Sequence, residues 1–175
     1  MKKISMIAAI GNNFELGYQN KLLCHLPRDL KRFKELTMGK TCVMGSRTYK
    51  SLIPYFKGEI LPGRKKYVLT NDKSKSFYYA DSISIEDVLE MAKTEDVFVI
   101  GGGQIYDLLT AHADKLYITH IQMNIKADME HLTYYYQGVD PERFGFELTS
   151  EVWVQLHPEL NSGDECVFRN YRRKE

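Results

Sequence analysis

A carboxylate at Asp29 follows a proline and precedes a run of bases in "LPRDLKRFKEL" (residues 26–36). Pro27 suits the first position of a helix, and an acid in a first turn faces the positive end of the helix dipole. That placement is worth about 0.3–1 kcal/mol and is the plain reading of Asp29. Helical spacing adds a second one. Phe33 and Leu36 follow Asp29 at the four- and seven-residue spacings, with Leu30 on the same side. The acid therefore sits at the edge of an apolar stripe, where a carboxylate has a reason to be questioned. Lys31, Arg32, Lys34 and Glu35 read as an ordinary charged surface.

Two strand–glycine–helix junctions could hold phosphate. In "VMGSRTY" (residues 43–49), Gly45 lets an anion approach the backbone, and helix-start N–H groups face it. Ser46 and Arg47 add a hydroxyl and a charge. In "VIGGGQIY" (residues 99–106), three glycines permit close approach of a pyrophosphate. Neither is a GxGxxG fingerprint or a Walker A loop. A tight turn explains either alone; two on one sheet suggest an extended ligand with two phosphate regions. Arg64 follows a Pro62–Gly63 turn in "LPGRKKYVLTND". It reads as a solvated charge or as a bidentate clamp on a carboxylate. Thr119 and His120 are neighbours in "YITHI", so strand alternation turns one of them to the core.

These side chains need a scaffold that brings them to one edge. Strand-like and helix-like segments alternate along the chain. "ISMIAAI" (4–10) reads as a central strand, followed by a polar loop with Gly11, Asn12, Asn13 and Gly17. A helix over 27–37 leads to a buried strand, "TCVMG" (41–45), and a short helix, "SRTYKSL". A strand ends near Thr70. "SIEDVLEMAK" opens on Ser84 with Asp87 placed as a capping box. "DVFVI" (96–100), "QIYDLLTAH" and "KLYITHIQM" give strand, helix and strand. Two longer strands, about 146–156 and 165–171, flank an "NSG" turn signal. The pattern predicts an α/β fold: a mostly parallel central sheet flanked by helices, with a C-terminal antiparallel hairpin. Ligands of such sheets bind beyond the carboxyl ends of the strands, where both glycine junctions fall.

Composition narrows the classes. A chain of 175 residues fits a single domain over 1–175 with a sizeable core. The net charge of +1 gives no bulk attraction to nucleic acid or to a membrane. No stretch approaches the roughly 20 apolar residues that span a bilayer. "MKKISMIAAIGNN" mimics a short signal peptide, but its apolar run is barely long enough and no cleavage site is clear, so it reads as a first strand. Cys24, Cys42 and Cys166 are far apart, without CxxC or zinc spacing, and read as reduced thiols in a cytoplasm. The histidines form no ligand pair, so no metal site is indicated.

Taken together and in order, the motifs resemble the dihydrofolate reductase family. They are the loop "LGYQNKLLCHLP", then "LPRDLKRFKELT", "VMGSRTYKSL", "LPGRKKYVLT", "VIGGGQIY" and "LYITHI", with a final hairpin ending in "CVFRNYRR". The resemblance covers nearly the whole chain and implies NADPH-dependent reduction of 7,8-dihydrofolate to tetrahydrofolate. Hydride passes to C6 and a proton is added at N5. The protein is then a cytoplasmic enzyme, expected to be a monomer, with small-molecule partners and neither nucleic acid nor membrane.

The resemblance also implies roles. Asp29, Thr119 and Leu22 form the catalytic set: Asp29 is the ionisable group of the pterin site, Thr119 buttresses it and Leu22 stands in the lid. Ile7, Leu30, Phe33, Leu52, Ile100 and Tyr106 join Asp29 and Thr119 around the substrate, and Arg64 pairs with the glutamate tail. Ser46, Arg47, Thr48, Thr70 and Asn71 face the adenine-ribose end of NADPH. Gly102, Gly103, Gln104 and Ile105 contact its pyrophosphate, and Gly101–Gly102 carry a cis peptide at the cofactor junction. Ala9, Ile10, Leu16, Gly17, Asn20, Gly45, Ile100 and Tyr106 complete the cofactor set, and residues 11–26 form a lid over the nicotinamide. The chain departs from the family in three places. Cys24 stands where most members have tryptophan, Leu23 where proline is common, and Ser46 where many have a base. The segment "ADMEHLTYYY" drifts as well. Two other functions stay open on these residues: a same-fold reductase of another pterin or pyrimidine, and a folate- or nucleotide-binding subunit without turnover.

Overall fold

The computed structural model describes residues 3–18, 21–23, 25–122, 134–135, 141–155 and 165–175. In chain order the first elements are β1 (Ile4–Ile10), β2 (Glu15–Tyr18), β3 (Lys21–Leu22), α1 (Pro27–Thr37), β4 (Thr41–Gly45) and α2 (Ser46–Leu52). Then come β5 (Lys65–Leu69), β6 (Asp81–Ile83), α3 (Ile85–Met91), β7 (Val97–Val99) and α4 (Gly103–Leu109). The last are β8 (Lys115–Ile121), β9 (Tyr134–Tyr135), β10 (Phe146–Gln155) and β11 (Glu165–Arg173).

Eight strands form one sheet in the order β10-β11-β8-β1-β7-β4-β5-β6. From β8 to β6 every pairing is parallel. β11 runs antiparallel to β8, and β10 antiparallel to β11, with a register shift between Leu148 and Ser150. The parallel sheet with a C-terminal antiparallel hairpin is the architecture the alternating sequence pattern indicates. β1 and β4 are buried at nearly every position, as strands covered on both faces must be.

Each face has its own core. On one, Ile7, Cys42, Met44, Tyr49, Val68 and Phe98 pack with the half-buried Phe33 and Leu36 of α1 and Leu52 of α2. On the other, Ile4, Met6, Ile10 and Val43 pack with Val88 of α3 and Leu109 of α4. Ser84 caps α3 in the expected box: its Oγ accepts from Asp87 N at 3.3 Å, and the Asp87 carboxylate accepts from Ser84 N at 3.2 Å.

The polar segment after β1 is more ordered than its composition indicates. β2 pairs with β3 and with β9 in a small antiparallel sheet. A Cβ on Gly17 would lie 2.5 Å from the Lys21 carbonyl oxygen, so the close approach of the two strands requires glycine. These strands and β6 are too short to carry an alternation, which is why the sequence reads as loop there. Asn20, Cys24, the "NSG" turn and most of "ADMEHLTYYY" lie outside the described residues.

Candidate active site

Asp29 stands in the first turn of α1, after Pro27, and the helix has no side-chain N-cap. The dipole reading accounts for that position but not for the bond the carboxylate makes. Its Oδ1 accepts from Thr119 Oγ1 at 2.6 Å, across 90 positions of sequence. Thr119 is fully buried on β8, two strands from the sheet edge. Burial pushes the Asp29 carboxyl above its ordinary value, and the Thr119 hydrogen bond and the Arg32 charge pull it part of the way back.

Arg32 is not the solvated charge it resembles in sequence. Its Nη1 donates to Thr119 Oγ1 at 3.2 Å and its Nη2 to Asn170 Oδ1 at 2.6 Å. Its guanidinium lies over the Phe168 ring at 4.6 Å and the Tyr117 ring at 5.8 Å. The three-residue spacing from Asp29 was the one available signal, since it puts both side chains on one face of the helix. Asn170 carried none.

The wall beside Asp29 is apolar. Ile7 is buried, while Leu30, Phe33, Leu52 and Ile100 are half-buried, the last three packed against the core that holds Ile7. Tyr106 belongs to the core of the other face and donates its hydroxyl to the Ile7 carbonyl at 2.6 Å. Arg64 reaches the other side of Phe33, its guanidinium 5.6 Å from the ring centre. Only 9% of Arg64 is exposed, which excludes a simple solvated charge. Nε donates to Thr37 Oγ1 at 2.8 Å and Nη1 to the Pro62 carbonyl at 3.0 Å. No carboxylate among the described residues pairs with it. The nearby Cys42 thiol is pushed up to about 12 by burial, so it is inert packing. α1 thus carries an acid in its first turn, an apolar stripe, and at its end a threonine that holds a guanidinium.

The two glycine junctions form one surface. Gly45 N donates to the Gly101 carbonyl at 2.8 Å, and Ile105 N and Tyr106 N both donate to the Gly102 carbonyl. The Gly101–Gly102 peptide is cis, and Gly101 has φ +125. A Cβ on Gly101 would sit 3.3 Å from both Thr48 Oγ1 and Tyr106 Oη, and one on Gly102 equally close to Thr48. At Gly101 the positive φ requires glycine, and at Gly102 a side chain would make Thr48 give way. Of the other residues that the resemblance assigns to the cofactor, Ser46, Arg47, Asn71 and Gln104 are exposed, and Ala9, Leu16, Thr48 and Thr70 half-buried. Ile10, Gly17, Gly103 and Ile105 are buried, so the two isoleucines have core packing as a first duty. Leu22, on β3, is 53% exposed.

His120 turns to the opposite face from Thr119. Burial, then the nearby Arg169 charge, lower it to about 4, so it is neutral at physiological pH. Among the described residues no group of three or more acidic, histidine or cysteine side chains could hold a metal. A concavity of about 390 Å³ opens between β5 and β6, lined by Lys65, Lys66, Tyr67, Phe77, Tyr79, Ala80 and Asp81. It includes none of the candidate residues.

Comparison with known proteins gives one answer. The family model of dihydrofolate reductase matches residues 3–151. A dihydrofolate reductase of Buchnera aphidicola subsp. Acyrthosiphon pisum (strain APS) is 39% identical over 127 residues, covering 71% of this chain and 76% of that one. The dihydrofolate reductase of Bacillus subtilis (strain 168) is also 39% identical over 127 residues, covering 71% and 73%. Among solved structures, a dihydrofolate reductase from Enterococcus faecalis complexed with NADP(H) and RAB-propyl is similar with a TM-score of 0.82 and 26% identity. The match covers 98% of this chain and 96% of that one.

Proposed function

The chain belongs to the dihydrofolate reductase family, and from that premise we propose how its own side chains do the work. The protein reduces 7,8-dihydrofolate to 5,6,7,8-tetrahydrofolate with NADPH. When bound, NADPH supplies the hydride that the substrate accepts at C6. The glycine cradle fits such a cofactor, since a single added Cβ would crowd Thr48 and Tyr106. Gly102, Gly103, Gln104 and Ile105 contact the pyrophosphate, with Gly45 and Gly101 letting it approach the backbone. Ser46, Arg47, Thr48, Thr70 and Asn71 hold the adenine-ribose end, and Ala9, Ile10, Leu16, Gly17, Asn20 and Ile100 the rest.

Asp29 accepts hydrogen bonds from the pterin's amide N–H and 2-amino group, with Thr119 fixing the carboxylate. Ile7, Leu30, Phe33, Leu52, Ile100 and Tyr106 exclude water around the pterin and its aminobenzoyl ring. That exclusion strengthens every polar contact inside. Arg64 takes the glutamate α-carboxylate at the far end. Asp29 polarises the pterin rather than delivering the N5 proton directly; a water carries that proton. Leu22 and the lid position the reacting faces. The same reading makes residues 1–175 one domain acting as a cytoplasmic monomer, without a nucleic-acid partner.

The observation that carries the site is the Asp29–Thr119 bond: a half-buried acid fixed from another element against an apolar wall. The test is spectrophotometric. The purified protein should consume NADPH, one per dihydrofolate added. A folded sample that binds both and consumes neither would replace the enzyme with a binding subunit.

A further inference from the structure

Arg32 lies within the motif of α1, but none of the proposed roles uses it. Its surroundings are those of a built site. Five polar side chains from four elements run in a line: Asp29 and Arg32 on α1, Thr119 on β8, Asn170 on β11 and Ser150 on β10. Thr119 Oγ1 accepts from Arg32 Nη1 at 3.2 Å and donates to Asp29 Oδ1 at 2.6 Å. A hydroxyl has one hydrogen. With a guanidinium N–H on its lone pair, that hydrogen is committed to the carboxylate.

The guanidinium is itself fixed. Asn170 Oδ1 accepts from Nη2 at 2.6 Å, and Asn170 Nδ2 donates to Ser150 Oγ at 2.7 Å, which sets the amide's orientation. Phe168 and Tyr117 flank the planar group. Arg32 is the charge that acts on Asp29; the other titratable groups facing this pair are Tyr117 from β8 and Cys166 from β11, neither a cation. A surface arginine needs none of this support. An arginine whose charge and donor geometry matter to its neighbour does.

We propose that Arg32 is the positioning residue of this site: it holds the Thr119 hydroxyl hydrogen on Asp29 and supplies the counter-charge that keeps the carboxylate an acceptor for the pterin. The proposal rests on Asp29 being the pterin's anchor. A protonated Asp29 could not accept from both pterin donors. The pH at which substrate affinity fails on the acid side is therefore set by Arg32 through Thr119.

The experiment follows the Asp29 carboxyl carbon by NMR titration in the ligand-free protein, beside the pH profile of kcat/KM for dihydrofolate. Arg32→Met keeps a stem between the two rings and removes the charge and both donors. Its Asp29 midpoint should rise by about one pH unit, the size expected from one nearby opposite charge. The acid limb of kcat/KM should move with it. Arg32→Lys retains the charge and should recover at least half of the shift. Asn170→Ala frees the guanidinium without altering α1, shifts the midpoint the same way by less, and carries the test if Arg32→Met does not fold. An unmoved midpoint in Arg32→Met with NADPH affinity intact overturns the proposal, as does an equal shift in Arg32→Lys. Failure of the anchor reading looks different: Asp29→Asn would then keep a normal KM for dihydrofolate, whatever the Arg32 variants do to the titration.

Discussion

Replacing Asp29 by asparagine separates a catalytic carboxylate from a helix-end charge. Asparagine keeps the shape and can still accept from Thr119 Oγ1, which now bonds Oδ1 at 2.6 Å. What it loses is the charge, and its NH₂ opposes a pterin N–H. Hydrogen bonds to a charged group are worth about 1.5–3 kcal/mol each. Two of them give roughly 3–6 kcal/mol, or about 10²–10⁴ in kcat/KM at 1.36 kcal/mol per decade. NADPH affinity should not change, since the glycine cradle is separate from α1. Stability should move the other way from activity. Burial raises the Asp29 carboxyl above its ordinary 3.8. Between that value and the raised one the unfolded chain ionises first, so the parent loses stability relative to the variant as pH climbs through this window. Asp29→Asn is therefore at least as stable at neutral pH, apart from about 0.3–1 kcal/mol of lost dipole interaction. The parent should slow as pH rises, because N5 protonation becomes limiting, and the variant's decline should begin at lower pH. Denaturation curves, cofactor titration and a pH–rate profile on this one variant decide the matter. Near-normal turnover with an unshifted profile would refute the argument and return Asp29 to the role of helix-end charge.

Three further outcomes are expected. Arg47→Ala should erode the preference for NADPH over NADH in kcat/KM while sparing kcat. The parent's preference should shrink with added salt, because Arg47 is exposed; equal parental efficiency with both cofactors sinks the assignment. Arg64→Ala should weaken ligands that bear a glutamate carboxylate by roughly 10–100-fold, the worth of one charge-assisted pair. Small antifolates without that group should lose little; similar losses for both would mean Arg64 serves the fold through Thr37 and Pro62. His120→Gln should blunt acid unfolding. Burial lowers His120 from 6.5 to about 4, so stability is lost as pH falls through that window, when the unfolded chain takes the proton first. For a partly exposed group the loss is about 1–2 kcal/mol after solvent screening. A variant with an unchanged acid midpoint contradicts this.

The sequence made Asp29 visible because its two constraints are local: the proline before it and the stripe after it both lie within α1. The strands were equally legible where burial on both faces leaves an unbroken apolar run, as in β1 and β4. Arg64 was ambiguous for a physical reason. The Pro62 carbonyl that it bonds is local, but its other partner is Thr37, 27 positions earlier at the end of α1, and that contact exists only in the folded chain. Arg32 was misread because a single charge among lysines has the pattern of a solvated face. What removes it from solvent is β11, which lies 138 positions away at Asn170. β2, β3 and β6 were missed since strands of two to four residues leave no period to detect.

Topology explains why these distant pieces meet. β7 enters the sheet between β1 and β4, although it follows both in the chain. Parallel neighbours have adjacent carboxyl ends, so the junction after β4 lies against the junction after β7, and Gly45 N reaches the Gly101 carbonyl. On the other flank of β1, β8 brings Thr119 beside the register of Ala9. α1 crosses this side of the sheet with Asp29 toward Thr119 and Phe33 toward Arg64. The fold therefore brings together the glycine backbone after β4 and β7, the acid and apolar stripe of α1, and the buried Arg64 that precedes β5. The antiparallel hairpin adds the last tether. β11 holds Arg32 through Asn170 and Phe168, and β10 holds Asn170 through Ser150. The charge beside Asp29 is thus fixed by the final strands of the chain, so loosening that hairpin alters the acid's proton affinity without touching a residue that meets the substrate.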